Sequence, residues 1–444
     1  MTTKEMTQRE KAIQTAFKER MNETELLNCM QCGFCLPTCP TYIETGFDES
    51  QSPRGRIALM KAVHDGLIAP DEEVERSLNL CLGCRACEPV CPAGVNYGYL
   101  LEDAREIFND YNQYSLSVKA MRKTVFEGLF PHQNRMENVM GLLAVYQRSG
   151  LQKAVRKVGF MKLFPESLQA MERALPQVPK KKEMKEKHLT QPALTDKKAT
   201  VALFSGCLMD TMFMETNRST ITLLQKAGCD VVIPDGQACC GALHGHSGEK
   251  AGSIELAKRN IDAFEQAKAD YIITNAGGCG AFLLGYSHLL KDDPAYAERA
   301  TRFVDSIKDI TQILYELDFH HTVHLAIDPQ VITYQDSCHL RNVMHTSKAP
   351  WALLNSIEGA TYREMENADS CCGSAGIYNI VESDMSMQIL DHKMTKAKAT
   401  NAHTIVTANP GCLLQMKLGI EREGLSDIVQ AVHIVDLLAK ACEE

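Results

Sequence analysis

The sequence predicts an α+β multidomain chain, with a mainly helical N-terminal domain carrying cysteine-rich loops and a C-terminal duplicated α/β module of pseudo-twofold symmetry. Three observations predict it. Two dense cysteine runs lie within residues 29–91, short β-type runs alternate with helical stretches from Val201 onward, and a four-cysteine pattern recurs in that second half at nearly constant offset. The 444 residues exceed one ordinary domain. Five segments are expected: cysteine loops at 1–100, helices at 101–175, a linker at 176–198, and modules at 199–320 and 321–444.

Bulk properties narrow the function. A net charge of −9 argues against nucleic acid as a partner, since phosphate binding needs a basic face. No apolar run reaches the roughly 18 residues of a membrane span. The polar start has no apolar signal segment, so a cytoplasmic location is expected. In that reducing compartment 18 cysteines are better explained by metal binding than by disulfides.

After a helical lead-in (Lys11 to Phe17), the first run places Cys29, Cys32, Cys35 and Cys39 before Pro40, and the second places Cys81, Cys84, Cys87 and Cys91 before Pro92. Both match the C-x2-C-x2-C-x3-C-P pattern of two-cluster ferredoxins. Three cysteines at three-residue steps wrap one face of an iron–sulfur cubane, and the fourth, turned away by the proline, ligates the other cluster. The expected ligands are therefore Cys29, Cys32, Cys35 and Cys91 for one [4Fe–4S] cluster, and Cys81, Cys84, Cys87 and Cys39 for a second. Structural zinc, the competing reading, normally uses two separated C-x-x-C pairs. Gly33 and Gly83 could make room beside the sulfides or be ordinary turn glycines. Between the runs, Arg54 and Arg56 of Ser52-Pro-Arg-Gly-Arg-Ile57 could balance cluster charge, seat a partner, or simply be solvated at a helix start.

Residues 101–175 read as amphipathic helices. At 140–165, Arg148, Lys153, Arg156, Lys157 and Lys162 lie beside Leu143, Leu151, Val155, Phe160 and Phe164. This stretch could pack on the N-terminal domain or rest peripherally on the inner face of the cell membrane. Residues 176–198, rich in Lys, Pro and Gln, read as a solvated linker. In the second half, Cys207, Cys239-Cys240-Gly241 and Cys279 are matched by Cys338, Cys371-Cys372-Gly373 and Cys412, at offsets of 131 (338 against 207), 132 (371 against 239) and 133 (412 against 279). Both copies are expected to close alike, at Asp309 and Asp436. Cysteines at strand ends would converge at the C-terminal edge of each sheet, where α/β folds put their sites.

Here the sequence resembles known families. The modules resemble the CCG domains of heterodisulfide reductase subunits. The order of two ferredoxin runs and two CCG modules resembles the glycolate oxidase iron–sulfur subunit family, and Asn409-Pro-Gly-Cys-Leu-Leu-Gln-Met strengthens the match. The electron-transfer subunit of anaerobic glycerol-3-phosphate dehydrogenase and lactate-utilisation proteins share the modules. The full CCG pattern ends in C-x-x-C, and its first cysteine is Ala276 in one copy and Asn409 in the other. Each copy thus offers four thiols, Cys207, Cys239, Cys240 and Cys279 or Cys338, Cys371, Cys372 and Cys412, which could hold one further iron–sulfur cluster, act as redox thiols, or serve a structural role.

The remaining candidates are weaker. His244, His246, His339 and Arg341 could bind an anion or relay protons, or be loop polars, and Cys229 and Cys442 read as incidental thiols. No G-x-G-x-x-G follows a strand, so no flavin or nicotinamide site is expected on this chain. The resemblance implies an electron-transfer subunit serving a partner FAD flavoprotein that oxidises glycolate or a related 2-hydroxy acid such as lactate, with a membrane acceptor, quinone, downstream. No catalytic residue is assigned. Heterodisulfide-type thiol chemistry, electron transfer for an anaerobic glycerol-3-phosphate dehydrogenase and a zinc-bearing scaffold are the alternatives.

Overall fold

A computed structural model describes residues 6–164, 166–185 and 190–442. The N-terminal domain is held by three helices. Gln8–Arg20 starts at a capping box between Thr7 and Glu10 and buries Ile13, Ala16 and Phe17. Pro53–His64 starts at Ser52, whose hydroxyl accepts from Gly55 N, with Pro53 in the first turn. Tyr97–Asp110 turns Leu100, Leu101, Ala104, Ile107 and Phe108 inward. The three meet in one core in which the Phe17 and Phe108 rings pack edge to face, centroids 5.6 Å apart. Gly55 is obligatory, because a Cβ there would collide with the Glu49 carbonyl.

The expected duplication is present as topology. Among the described residues nine strands form two sheets: β1 Thr190–Gln191, β2 Ala199–Leu203, β3 Cys229–Val232, β4 Tyr271–Thr274, β5 Ile307–Asp309, β6 Ala326–Gln335, β7 Glu358–Tyr362, β8 Thr404–Thr407 and β9 Gln430–His433. The first sheet runs β1-β3-β2-β4-β5 and the second β7-β6-β8-β9. Leaving aside β1, an antiparallel edge strand, both have parallel strands in the order second-first-third-fourth. Near-continuous apolar strands such as Thr404-Ile-Val-Thr, buried at every position, suit a sheet covered on both faces. The modules share one apolar core, and helix Met214–Lys226 packs on helix Ile434–Ala441, with Thr216 Oγ1 donating to Asp436 Oδ2 at 2.8 Å.

Two expectations change. The closing helices are capped by Asp309 and by His433, so Asp309 answers to His433 and Asp436 lies a turn further on. The stretch read as a solvated linker is, in its described residues, partly built into the fold. Val178 and Met184 are fully buried, and β1 pairs with β3. No helix among the described residues is long and apolar enough to cross a membrane.

Candidate metal centres

The two N-terminal loops are conformational copies of each other. Each has left-handed backbone at the residue before and the residue after its second cysteine: Gln31 (φ 55°) and Gly33 (φ 88°) in one, Gly83 (φ 64°) and Arg85 (φ 57°) in the other. Such a turn is strained for non-glycine residues, and each loop tolerates it once. It curls the chain so that its thiols face one point. Cys29, Cys32, Cys35 and Cys91 line one cavity together with Cys87. Cys39 lies close enough to Cys84 and Cys87 for its charge to push both thiols up, after burial, the larger cause. The structure therefore brings Cys91 beside Cys29, Cys32 and Cys35, and Cys39 beside Cys84 and Cys87 of the other run.

Arg54 and Arg56 part company. Arg54 is half-exposed, pairs with Glu49 (2.6 Å) and donates to the Gln31 carbonyl (2.9 Å). Arg56 is completely buried, donating to Ser77 O (2.7 Å), Gln51 Oε1 (3.0 Å) and Thr41 Oγ1 (3.1 Å). Burial opposes its charge, yet Cys81, Tyr97 and Cys39 raise its pKa. In return Cys81, although buried, is drawn below the ordinary thiol value by Arg56 and Arg105, helped by hydrogen bonds from Tyr97 Oη and Gly83 N at 3.4 Å each. Arg56 Nη1 has no partner among the described residues. A buried cation with an unused N–H beside thiolates suits an anionic cluster with thiolate ligands.

In each module the cysteines come from the C-terminal ends of the first three strands, at the topological switch point. Cys207 follows β2, Cys239-Cys240 follow β3, and Cys279 stands in the first turn of helix Gly277–Leu284 after β4. Cys338, Cys371-Cys372 and Cys412 repeat this after β6, β7 and β8. Cys207 Sγ and Cys239 Sγ are 3.5 Å apart. All eight sulfurs face one cavity of about 410 Å³ between the modules, walled by apolar residues such as Phe130, Leu208, Leu243, Ile377 and Leu414.

The position where the CCG pattern has another cysteine is filled otherwise. Ala276 is buried. Asn409 donates to Cys412 Sγ (3.5 Å) and accepts from Gly278 N of the other module (3.0 Å), bridging the two sites. The modules also differ in buried charge. Lys393 is 1% exposed and donates to the carbonyls of Asn367 and Ala368. Burial lowers it to about 8 against the pull of Cys372 and Cys371. One module earlier, seven residues after Ser253 as Lys393 is seven after Ser386, stands neutral Asn260, which donates to the Cys239 carbonyl (3.0 Å). Cys371 is held below the ordinary thiol value by S–H donation from Cys338 and Cys372, which are themselves pushed up, as Cys207 and Cys240 are in the first module.

The second module docks on the second loop. Leu82 and Cys84 share an apolar cluster with Cys371, Cys338 and Tyr378. Tyr378 Oη donates to Leu80 O (2.9 Å), Asn342 Nδ2 to Cys84 O (3.1 Å) and His339 Nε2 to Gly83 O (3.0 Å). His246 meets Glu102 at 3.1 Å and His244 meets the Phe126 carbonyl at 2.8 Å. Three of the histidines proposed as loop polars thus tie the modules to the N-terminal half, while Arg341 pairs with Asp336 inside its own module (2.9 Å). Burial pushes His339 down to about 4. Cys229 and Cys442 line neither thiol cavity.

This architecture defines an iron–sulfur electron-transfer protein, an oxidoreductase subunit built from a two-cluster domain and a duplicated cysteine-rich module. Family models agree: a 4Fe-4S dicluster domain matches residues 25–95, a cysteine-rich domain matches 201–284 and 332–417, and the linker region of the glycolate oxidase iron-sulfur subunit matches 117–175. The chain is 66% identical, over 99% of its length and 98% of the relative's, to the probable glycolate oxidase iron-sulfur subunit of Bacillus subtilis (strain 168). It is 31% identical, over 92% of each chain, to the glycolate oxidase iron-sulfur subunit of Escherichia coli (strain K12). Lactate utilization protein A of Bacillus thuringiensis (strain Al Hakam) is 33% identical over 54% of this chain and 98% of its own. The chain belongs to the glycolate oxidase iron–sulfur subunit family. In fold it is similar to a hypothetical protein from Helicobacter pylori of known crystal structure (TM-score 0.52, 11% identity, 98% of this chain and 77% of that one).

Proposed function

We propose that this chain carries electrons from a partner FAD flavoprotein, which oxidises glycolate or a related 2-hydroxy acid such as lactate, to a membrane quinone, working in the cytoplasm against the inner face of the membrane. Removing two electrons from a hydroxy acid needs an organic acceptor such as a flavin, and iron–sulfur clusters held at these thiolates would pass electrons singly. Cys29, Cys32, Cys35 and Cys91 would hold one [4Fe–4S] cluster, and Cys39, Cys81, Cys84 and Cys87 the other. Cys207, Cys239, Cys240 and Cys279 would hold a further cluster, as would Cys338, Cys371, Cys372 and Cys412. Bound there, the clusters supply one-electron storage over a wide range of potentials.

The chain's own residues do the rest. Arg56 neutralises charge beside Cys39 and Cys81. Lys393 does so beside Cys371 and Cys372. Tyr378, Asn342 and His339 clamp the second module to the Leu80–Cys84 loop. The observation that carries the reading is this contiguity: thiol groups follow one another from Cys32, exposed at the protein edge, to an internal cavity.

The test is to purify the chain anaerobically with its flavoprotein partner, add glycolate or lactate, and record low-temperature EPR. Substrate-dependent reduced-cluster signals support the proposal. Stoichiometric zinc without sulfide, or clusters that dithionite reduces and neither acid does, would overturn it.

A further inference from the structure

Between Asn138 and Phe164 the chain has five basic residues, Arg148, Lys153, Arg156, Lys157 and Lys162, and no acidic one, in a protein of net charge −9. All five are exposed. So are eight large apolar side chains in the same stretch: Val139, Leu142 (72%), Val145, Leu151, Val158 (77%), Phe160, Leu163 (78%) and Phe164. The other exposed apolar group, Leu27, Met30, Phe34 and Phe47, lies around the first cysteine loop and carries no comparable run of basic residues. Helix Leu151–Lys157 has no fully buried residue, and neither does the turn Phe160–Leu163. Their sequence therefore stabilises no core of this chain.

The segment is nevertheless fixed in place. Glu172, on helix Glu166–Ala174, accepts from Gln152 (2.8 Å) and Arg156 (3.0 Å), and Tyr146 Oη lies 3.2 Å from it. The same helix packs on Pro410–Arg422, with Arg173 paired to Glu421 at 2.8 Å, and its Met171 and Ala174 line the eight-cysteine cavity. The basic, apolar surface is thus the outer side of a layer whose inner side closes the thiol cavity.

We propose that residues 142–164 form the face by which this protein lies on an anionic lipid bilayer, with Leu151, Val158, Phe160, Leu163 and Phe164 dipping into the acyl boundary and the lysines meeting lipid phosphates. An apolar set flanked by Lys153, Lys157 and Lys162, beside an Arg156 that is paired with Glu172, is the pattern of an interfacial segment. A purely protein-facing surface would not need the charge bias. This placement rests on the electron-transfer reading and extends it, because it sets the thiol cavity one helix away from the layer in which a lipid-soluble acceptor dissolves.

The test is cosedimentation of the full cluster-loaded chain with vesicles of phosphatidylcholine alone or with one-quarter phosphatidylglycerol. Binding should need phosphatidylglycerol and weaken in 0.5 M salt. Each Lys→Glu change at Lys153, Lys157 or Lys162 should lower the partition coefficient at least about fivefold. Leu163→Asp should lower it about tenfold or more. Because these side chains are exposed, cluster EPR should be unchanged. No binding to either vesicle, or binding that these variants leave intact, overturns the proposal. So does a Leu163→Asp chain that still binds vesicles and instead loses its flavoprotein partner, which would make the face a protein interface. Substrate-driven cluster reduction in vesicle-free solution scores the electron-transfer reading separately, so either can fail alone.

Discussion

Replacing Arg56 by methionine tests whether the N-terminal thiols hold charged clusters. Thr41 Oγ1 is 3.1 Å from the guanidinium and 3.4 Å from Cys39 Sγ, so cation and sulfur stand at most about 6.5 Å apart. At an effective dielectric of about 20, one unit charge at that distance contributes about 2.5 kcal/mol. On a one-electron couple this is about 110 mV. A cation favours the reduced, more negative state, so Arg56→Met should lower the midpoint potential of one cluster by about 100 mV and leave the other nearly unmoved. The variant also strands the acceptors at Ser77, Gln51 and Thr41, which should cost about 3 kcal/mol of stability. Arg56→Lys separates the two effects, since it keeps the charge and gives up hydrogen bonds. The assay is EPR-monitored redox titration of anaerobically prepared protein. An Arg56→Met variant with both clusters intact and both potentials within 30 mV of the parent would refute the reasoning, as would an equal shift in Arg56→Lys.

Cys29→Ser should abolish one N-terminal cubane signal, whereas Cys371→Ser should leave both and lower only the remaining iron. Iron and sulfide assays beside EPR check this, and about eight iron atoms in the unaltered chain would mean that the modules carry no cluster. Asn409→Ala removes the bridge between Gly278 and Cys412 and should destabilise the protein by about 1–2 kcal/mol in anaerobic urea melts. Asp309, a buried helix cap with Oδ2 unpartnered among the described residues, is raised by burial from 3.8 to about 6. The unfolded chain releases this proton before the folded one does, so the parent loses stability as pH rises through that interval. Asp309→Asn, which can still cap, should gain on the parent by about 1 kcal/mol between pH 5 and pH 7. A pH-independent difference would show that the carboxyl is not raised.

What could be read from the sequence is what local geometry dictates. Cysteines three residues apart can meet only if the intervening backbone curls. The cysteine spacing alone therefore implied the loop, and the matching left-handed residues flanking Cys32 and Cys84 are how the backbone makes it. The four-cysteine repeat likewise implied two sheets of equal topology, because a thiol can return to one point twice only if the strands beneath it return in the same order. The closing residues were mispaired for a related reason. Asp309 and Asp436 look alike as letters, but the connection from β8 to β9 is shorter than that from β4 to β5, which shifts the cap to His433.

The roles of the two arginines were harder to see, although the signal was present. Residues two apart on a helix point about 200° away from each other, so Arg54 and Arg56 cannot share a face. Pro53, Arg56, Ile57, Met60 and Val63 follow the one-three-four-seven rhythm of an inward stripe, with a cation standing where an aliphatic residue belongs. A charge on such a stripe must either be neutralised by burial partners or face an anion. Three hydrogen bonds to neutral oxygens and an Nη1 with both N–H groups unused do not neutralise it. The same logic applies to Lys393, where the repeat supplies the control: a position that is Asn260 in one copy and lysine in the other cannot be required by the fold alone. Its charge therefore belongs to the site, and if both cysteine-rich modules hold clusters as proposed, redox titration should find the Lys393 copy the more easily reduced.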